Sequence, residues 1–96
     1  MILEAAMLTV KPGKEREFQR VFAKASPIIA ACEGCLSHEL HRCLEARGKY
    51  LLLVRWRSVE DHVVGFRQSA AYQEWKRLLH HFYEPFPTVE HFTQVY

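Results

Sequence analysis

Long hydrophobic stretches are missing from this 96-residue chain. Runs such as Leu51–Val54 stop far short of the roughly 20 apolar residues that a membrane-spanning helix needs, so no membrane association is expected. The opening MILEAAMLTV carries Glu4 and no basic flank, unlike a secretory signal, and a cytoplasmic protein is expected. An excess of one charge is missing too. Thirteen Lys and Arg stand against eleven Asp and Glu, a net +2, with the basic residues interleaved among acids. That pattern excludes the basic stripe of a nucleic-acid partner. Cysteines number three, which argues against a disulfide framework. The CEGC at 32–35 has redox-motif spacing but places Cys32 at a helix end, away from the helix N-terminus that lowers a thiol pKa. A structural zinc would need a second ligand pair, and only His41 and Cys43 lie nearby, at a poor spacing, so buried, inert thiols are expected. Glycine and proline are sparse, four each, and no repeat or linker divides the chain. A single domain over residues 1–96 follows, with a thin core.

The apolar pattern orders the elements. Residues 2–10 read as a strand and 11–14 as a turn. Phe18, Val21, Phe22, Ala25, Ile29 and Cys32 follow at helical spacing, with a kink expected at Pro27 and an end at Gly34. Residues 35–45 and 50–57 read as a hairpin turning at Ala46–Lys49. Ser58 opens a capping-box-like SVED before a helical stripe of Val59, His62, Val63 and Phe66. A further helix starts after Ser69, with Tyr72, Trp75, Leu78, Leu79 and Phe82 on its inner face. The two prolines of EPFP stop it, and 88–96 reads as a last strand. The order β-α-β-β-α-α-β fits a ferredoxin-like α+β sandwich with an antiparallel sheet. One helix layer covers one face of such a sheet, yet YLLLV (50–54) and ILEAAML (2–8) are apolar at both parities. The second face therefore calls for a partner, and a homodimer joined sheet to sheet is expected.

The stretch LLLVRWRSVEDHVVGFRQSAAYQEW (51–75), with KPGKEREF (11–18), EGCLSHEL (33–40) and TVEHFTQV (88–95), resembles the antibiotic biosynthesis monooxygenase family over essentially the whole chain. The resemblance implies a dimeric α+β barrel with a pocket in each subunit between sheet and helices. It also implies oxygenase chemistry on a small aromatic ligand without metal or organic cofactor. The haem-degrading members of the family use an Asn, a Trp and an iron-ligating His at positions matched here by Ala6, Phe66, and Trp75 or Lys76. Haem breakdown is therefore not expected. RNA-recognition modules share the topology, but Lys49, Leu51 and Val54 occupy the points where those modules place stacking aromatics.

Six histidines are the most informative polar residues. His62, on the apolar stripe, reads either as a general base or as a core imidazole satisfied by backbone. Of the adjacent His80 and His81 only one can face a pocket, and His81, bordering Leu78, is the choice; a helix-end role is the alternative. His91 shares a strand face with Val89 and meets the pocket only if that face is the helix-covered one. A three-histidine metal site from His62, His81 and His91 lacks supporting spacing, so no metal is expected. An even hairpin loop would set Glu39 and His41 beside Trp56, whereas an odd one would set His38 there and turn Glu39 toward Arg55 and Arg57. Trp56, Phe66, Tyr72, Trp75 and Phe82 converge between the layers, as core or as walls for a flat ligand. Arg67 is the candidate stabiliser of a phenolate or carboxylate. Two functions follow: a cofactor-independent monooxygenase of a phenolic or quinol-like substrate with catalytic His62, Arg67 and His81, or a non-catalytic dimeric ligand-binding module.

Overall fold

The computed structural model describes residues 1–96. Strand β1 (Ile2–Thr9) leads to helix α1 (Glu15–Ala30), then to the hairpin of β2 (Cys35–Arg42) and β3 (Lys49–Trp56). A π-helical turn (Asp61–Phe66), helix α2 (Ala70–Leu79), a 3₁₀ turn (His80–Phe82) and the short strand β4 (Val89–Phe92) complete the chain. The four strands form an antiparallel sheet in the order β2-β3-β1-β4. This is the ferredoxin-like α+β arrangement, with the helices on one face.

Alternation explains which residues enter the core. On β3, Tyr50, Leu52, Val54 and Trp56 are buried and the residues between them only half-buried. On β1 the inward parity is Glu4, Ala6 and Leu8. Helix α1 lays Phe18, Phe22, Ala25 and Ile29 on these strands, a spacing of four, three and four that keeps one face inward. Pro27 lies inside α1, which runs on to Ala30. Gly34 stands beyond the helix end, in a tight turn closed by Cys35 N–H donating to Cys32 O at 3.1 Å. Its φ of +87° suits glycine, and a Cβ there would overlap the Asp61 side chain.

Several boundaries differ from the pattern reading. The hairpin strands stop at Arg42 and restart at Lys49, and Cys43 N–H still donates to Lys49 O, which leaves a five-residue loop, 44–48. The odd loop pairs His38 with Val54 and Glu39 with Leu53. His38 thus shares the face of Trp56, bonded to Ser26 of α1, while Glu39 turns outward to Arg55 (3.2 Å) and His41 (2.7 Å). Arg57 does not join them and instead holds Asp61 at 2.9 Å. The segment after Ser58 is helical as expected, but over Asp61–Phe66 it winds as a wide π helix in place of an α-helix. Ser58 does cap it, its hydroxyl accepting from Asp61 N–H at 3.2 Å. Strand β4 ends at Phe92, four residues before the C-terminus. The three thiols are free and half-buried where burial is expected, and burial pushes Cys32 and Cys35 above the ordinary thiol pKa.

The face of the sheet away from the helices carries Leu3, Ala5, Met7, Leu51, Leu53 and Phe92. Met7 and Phe92 are nearly half exposed, so this apolar surface is unpartnered in one chain. No helix is long and apolar enough to cross a membrane.

Candidate functional site

A cavity of about 330 Å³ opens between the helix-covered face of the sheet and the C-terminal half of the chain. Its apolar walls include Ala6, Leu52, Phe66, Tyr72 and Trp75, and its polar groups are Glu4, His62, Arg67 and His80. A larger groove of about 610 Å³, with Arg16, Arg42 and Arg47 around it, lies open on the surface between α1 and the hairpin loop. That groove contains no buried carboxylate or imidazole, and the smaller cavity contains one of each.

The first is Glu4. It sits on the buried parity of β1 and is only 4% exposed. Trp56, at the end of β3 and fully buried, donates its Nε1–H to Glu4 Oε1 at 2.9 Å. His62 Nε2 lies 3.3 Å from the same oxygen. The other carboxylate oxygen, Oε2, has no protein partner, and no fully buried side-chain nitrogen or oxygen lacks one. Oε2 therefore faces the cavity that Glu4 lines. Burial raises the Glu4 pKa, while the Trp56 hydrogen bond and the nearby Arg67 charge act to lower it.

The second is His62, 3% exposed. The π turn carries it inward so that its ring stacks on Trp56, centroids 5.1 Å apart and planes 18° from parallel. Nδ1 lies 2.8 Å from His91 Nε2. Burial, followed by the charges of Arg67 and His91, lowers the His62 pKa to about 3, so the ring is neutral at physiological pH. Arg67 follows the π turn, lies exposed at the cavity rim and makes no salt bridge.

The expected site residues separate into three groups. His62, Phe66, Arg67, Tyr72 and Trp75 line the cavity. Phe66 packs edge-on against both Tyr72 (5.3 Å) and Trp75 (5.9 Å), which places the second helix across from the π turn. Trp56 and His91 stand behind His62: Trp56 is sealed in the core as the floor of the imidazole, and His91 touches His62 from β4. Neither lines the cavity. His81 is elsewhere. Helix α2 ends at Leu79 and the tighter 3₁₀ turn leaves His81 exposed against Phe82, centroids 4.3 Å apart, while the half-buried His80 faces the cavity. The trio His62, His81 and His91 is therefore not assembled, and no three His, Cys, Asp or Glu side chains converge as metal ligands. Glu4 is the functional candidate that pattern reading misses. Its signal is a lone carboxylate in the otherwise apolar stretch ILEAAML.

Comparison with known proteins agrees with this architecture. Residues 1–78 match the family model of the antibiotic biosynthesis monooxygenases. YczJ, an uncharacterized protein of Bacillus subtilis, is 57% identical over 99% of this chain and 100% of its own. A crystal structure of a candidate antibiotic biosynthesis monooxygenase from Bordetella bronchiseptica superposes with a TM-score of 0.94 at 40% identity, covering 99% of this chain and 97% of that one. SnoaB, a cofactor-independent oxygenase from Streptomyces nogalater, shares the fold at a TM-score of 0.77 and 22% identity, covering 99% and 93% of the two chains. With most of its length matched by the family model and with relatives this similar, the chain belongs to the antibiotic biosynthesis monooxygenase family.

Proposed function

We propose that the protein oxygenates a small phenolic or quinol-like aromatic in the cavity between sheet and helices, without an organic cofactor or metal. The observation that carries this reading is the buried Glu4–His62 pair at the end of an apolar, aromatic-walled cavity. Triplet oxygen reacts slowly with closed-shell molecules, so the substrate must first become an electron-rich anion. Glu4 Oε2, desolvated and open to the cavity, takes the phenolic proton, while His62 and Trp56 hold Oε1. Arg67 at the rim stabilises the phenolate. Phe66, Tyr72 and Trp75 hold the ring and keep water out. The balance closes on the substrate alone: a phenol and dioxygen give a quinone and water. One oxygen atom enters the ring, and the other leaves with the two hydrogens that the substrate loses. The cofactor-independent SnoaB, of the same fold, is consistent with such a reaction.

Oxygen uptake with a hydroquinone or a naphthol tests the reading. Glu4→Gln and His62→Ala should each lower kcat by about a hundredfold, the usual scale of a lost acid–base group. Unchanged rates in both variants would remove the pair from the mechanism. Thermal stabilisation by aromatic anions with no oxygen uptake would make the protein a ligand-binding module. The apolar outer face of the sheet supports a homodimer, in which Met7, Leu51 and Phe92 leave water. Gel filtration at micromolar concentration should show two chains, and Leu51→Lys should yield one; a monomeric wild type overturns this part.

A further inference from the structure

Glu4, His62 and His91 form a continuous polar line from the cavity to the outside of the subunit. The β1–β4 register sets Glu4 opposite His91, so both face the helix layer. His62 descends between them from the π turn, Nε2 at 3.3 Å from Glu4 Oε1 and Nδ1 at 2.8 Å from His91 Nε2. Charge selects the tautomer. Beside an ionised carboxylate a bare Nε2 would set two lone pairs against each other, so the proton sits on Nε2 and Nδ1 accepts from His91 Nε2–H. His91 is half-buried, and its Nδ1 has no protein partner; since no fully buried polar atom lacks one, Nδ1 meets solvent.

We propose that His91 is the outer member of a proton path, Glu4–His62–His91, which fixes the His62 tautomer and exchanges protons between the buried carboxylate and the solvent. An imidazole takes a proton on one nitrogen and yields it from the other, so the two rings in series carry charge with no net gain or loss of atoms. The polar and charged groups around the His62 ring are Glu4 from β1, Trp56 from β3, Arg67 after the π turn and His91 from β4. Only His91 can pass a proton outward, because the Trp56 indole only donates and Arg67 stays charged. The path exists whatever fills the cavity. Run inward, the line hands a solvent proton to Glu4 through His91 Nε2–H and His62 Nε2–H, and the reverse hop returns it. Its use in turnover, equilibrating the Glu4 proton with solvent, rests on the oxygenase reading.

NMR of the full chain with ¹⁵N-labelled histidine tests the path without any substrate. The wild type should hold the His62 proton on Nε2. His91→Gln keeps a donor to Nδ1 but cannot pass a proton: the tautomer should stay, and exchange of the Nε2 proton with water should slow about tenfold or more. His91→Phe removes the outer ring altogether: Glu4 should still hold the proton on Nε2, and exchange should slow as in His91→Gln. A wild-type proton on Nδ1, or equal exchange rates in the wild type and His91→Gln, overturns the proposal. If His91→Phe fails to fold, the wild-type tautomer and the His91→Gln exchange rate decide alone. Absent oxygen uptake alongside slowed exchange in His91→Gln would refute the phenol reading and leave the path standing.

Discussion

Protonation of His62 should be an acid weak point of the fold. An ordinary histidine titrates at 6.5, and in the folded chain burial and the Arg67 and His91 charges hold His62 down to about 3. Between those values the unfolded chain binds a proton that the native state refuses, so unfolding becomes easier as pH falls. The stability due to neutral His62 is complete above 6.5 and is lost progressively as pH drops toward 3. One proton on this slope is worth about 1.4 kcal/mol per pH unit, so a step from pH 6 to pH 5 costs about 1 kcal/mol. Glu4 acts in the opposite sense. Its pKa is raised by burial, so the native state accepts its proton more readily than the unfolded chain, and falling pH offsets part of the loss. Urea unfolding followed by tryptophan fluorescence at pH 6 and pH 5 separates the two contributions. The wild type should lose stability over this step, His62→Asn should lose less, and Glu4→Gln should lose more. Identical pH dependence in the wild type and His62→Asn would refute the neutral, desolvated imidazole.

Other perturbations follow from contacts around the site. Trp56→Phe keeps a ring under His62 but removes the donor to Glu4 Oε1; it should cost about 1–3 kcal/mol in urea unfolding, and a cost near zero would mean that the carboxylate does not need the indole. Gly34→Ala demands a left-handed alanine and drives its Cβ into the Asp61 side chain, so a loss of about 1–3 kcal/mol is expected. Unaltered thermal unfolding of that variant would show the turn to be elsewhere than described. Ser69→Ala removes the cap that accepts Tyr72 N–H at 3.1 Å and should cost about 1 kcal/mol, whereas Ser69→Asp, a good cap, should cost little.

The elements were legible wherever one periodicity ran unopposed. Phe18, Phe22, Ala25 and Ile29 can share a face only on a helix, whereas β3, apolar at both parities in its YLLLV, showed its extent in the sequence but not its inward face. Legibility failed where a count of one residue changes the outcome. Neither Ala46 nor Gly48 states whether the hairpin loop is odd, and that parity decides whether His38 or the Glu39–His41 pair stands on the face of Trp56. His80 and His81 pose the same problem at a helix end. A shift from α to 3₁₀ winding changes the turn per residue enough to exchange which neighbour looks inward, and no residue type signals that shift.

Glu4 was hidden for a different reason. In MILEAAMLTV its neighbours are apolar at both parities, so alternation alone does not say which parity is inward. The choice is made by what lies across the sheet. Glu4 pairs with Val54 on one side and His91 on the other, and only the buried parity of β3 brings the indole of Trp56 within 2.9 Å of its carboxylate. A carboxylate at 4% exposure would be costly in an apolar layer without donors. Here the donor comes from strand β3 and an imidazole nitrogen from the π turn lies 3.3 Å away, both more than fifty residues along the chain, and they meet one oxygen while the other is left toward the cavity. An apolar side chain at position 4 would pack against Val54 and Trp56 with no such requirement. The arrangement therefore spends fold stability on a reactive oxygen in a dry place, which is the condition that deprotonation of a phenol requires.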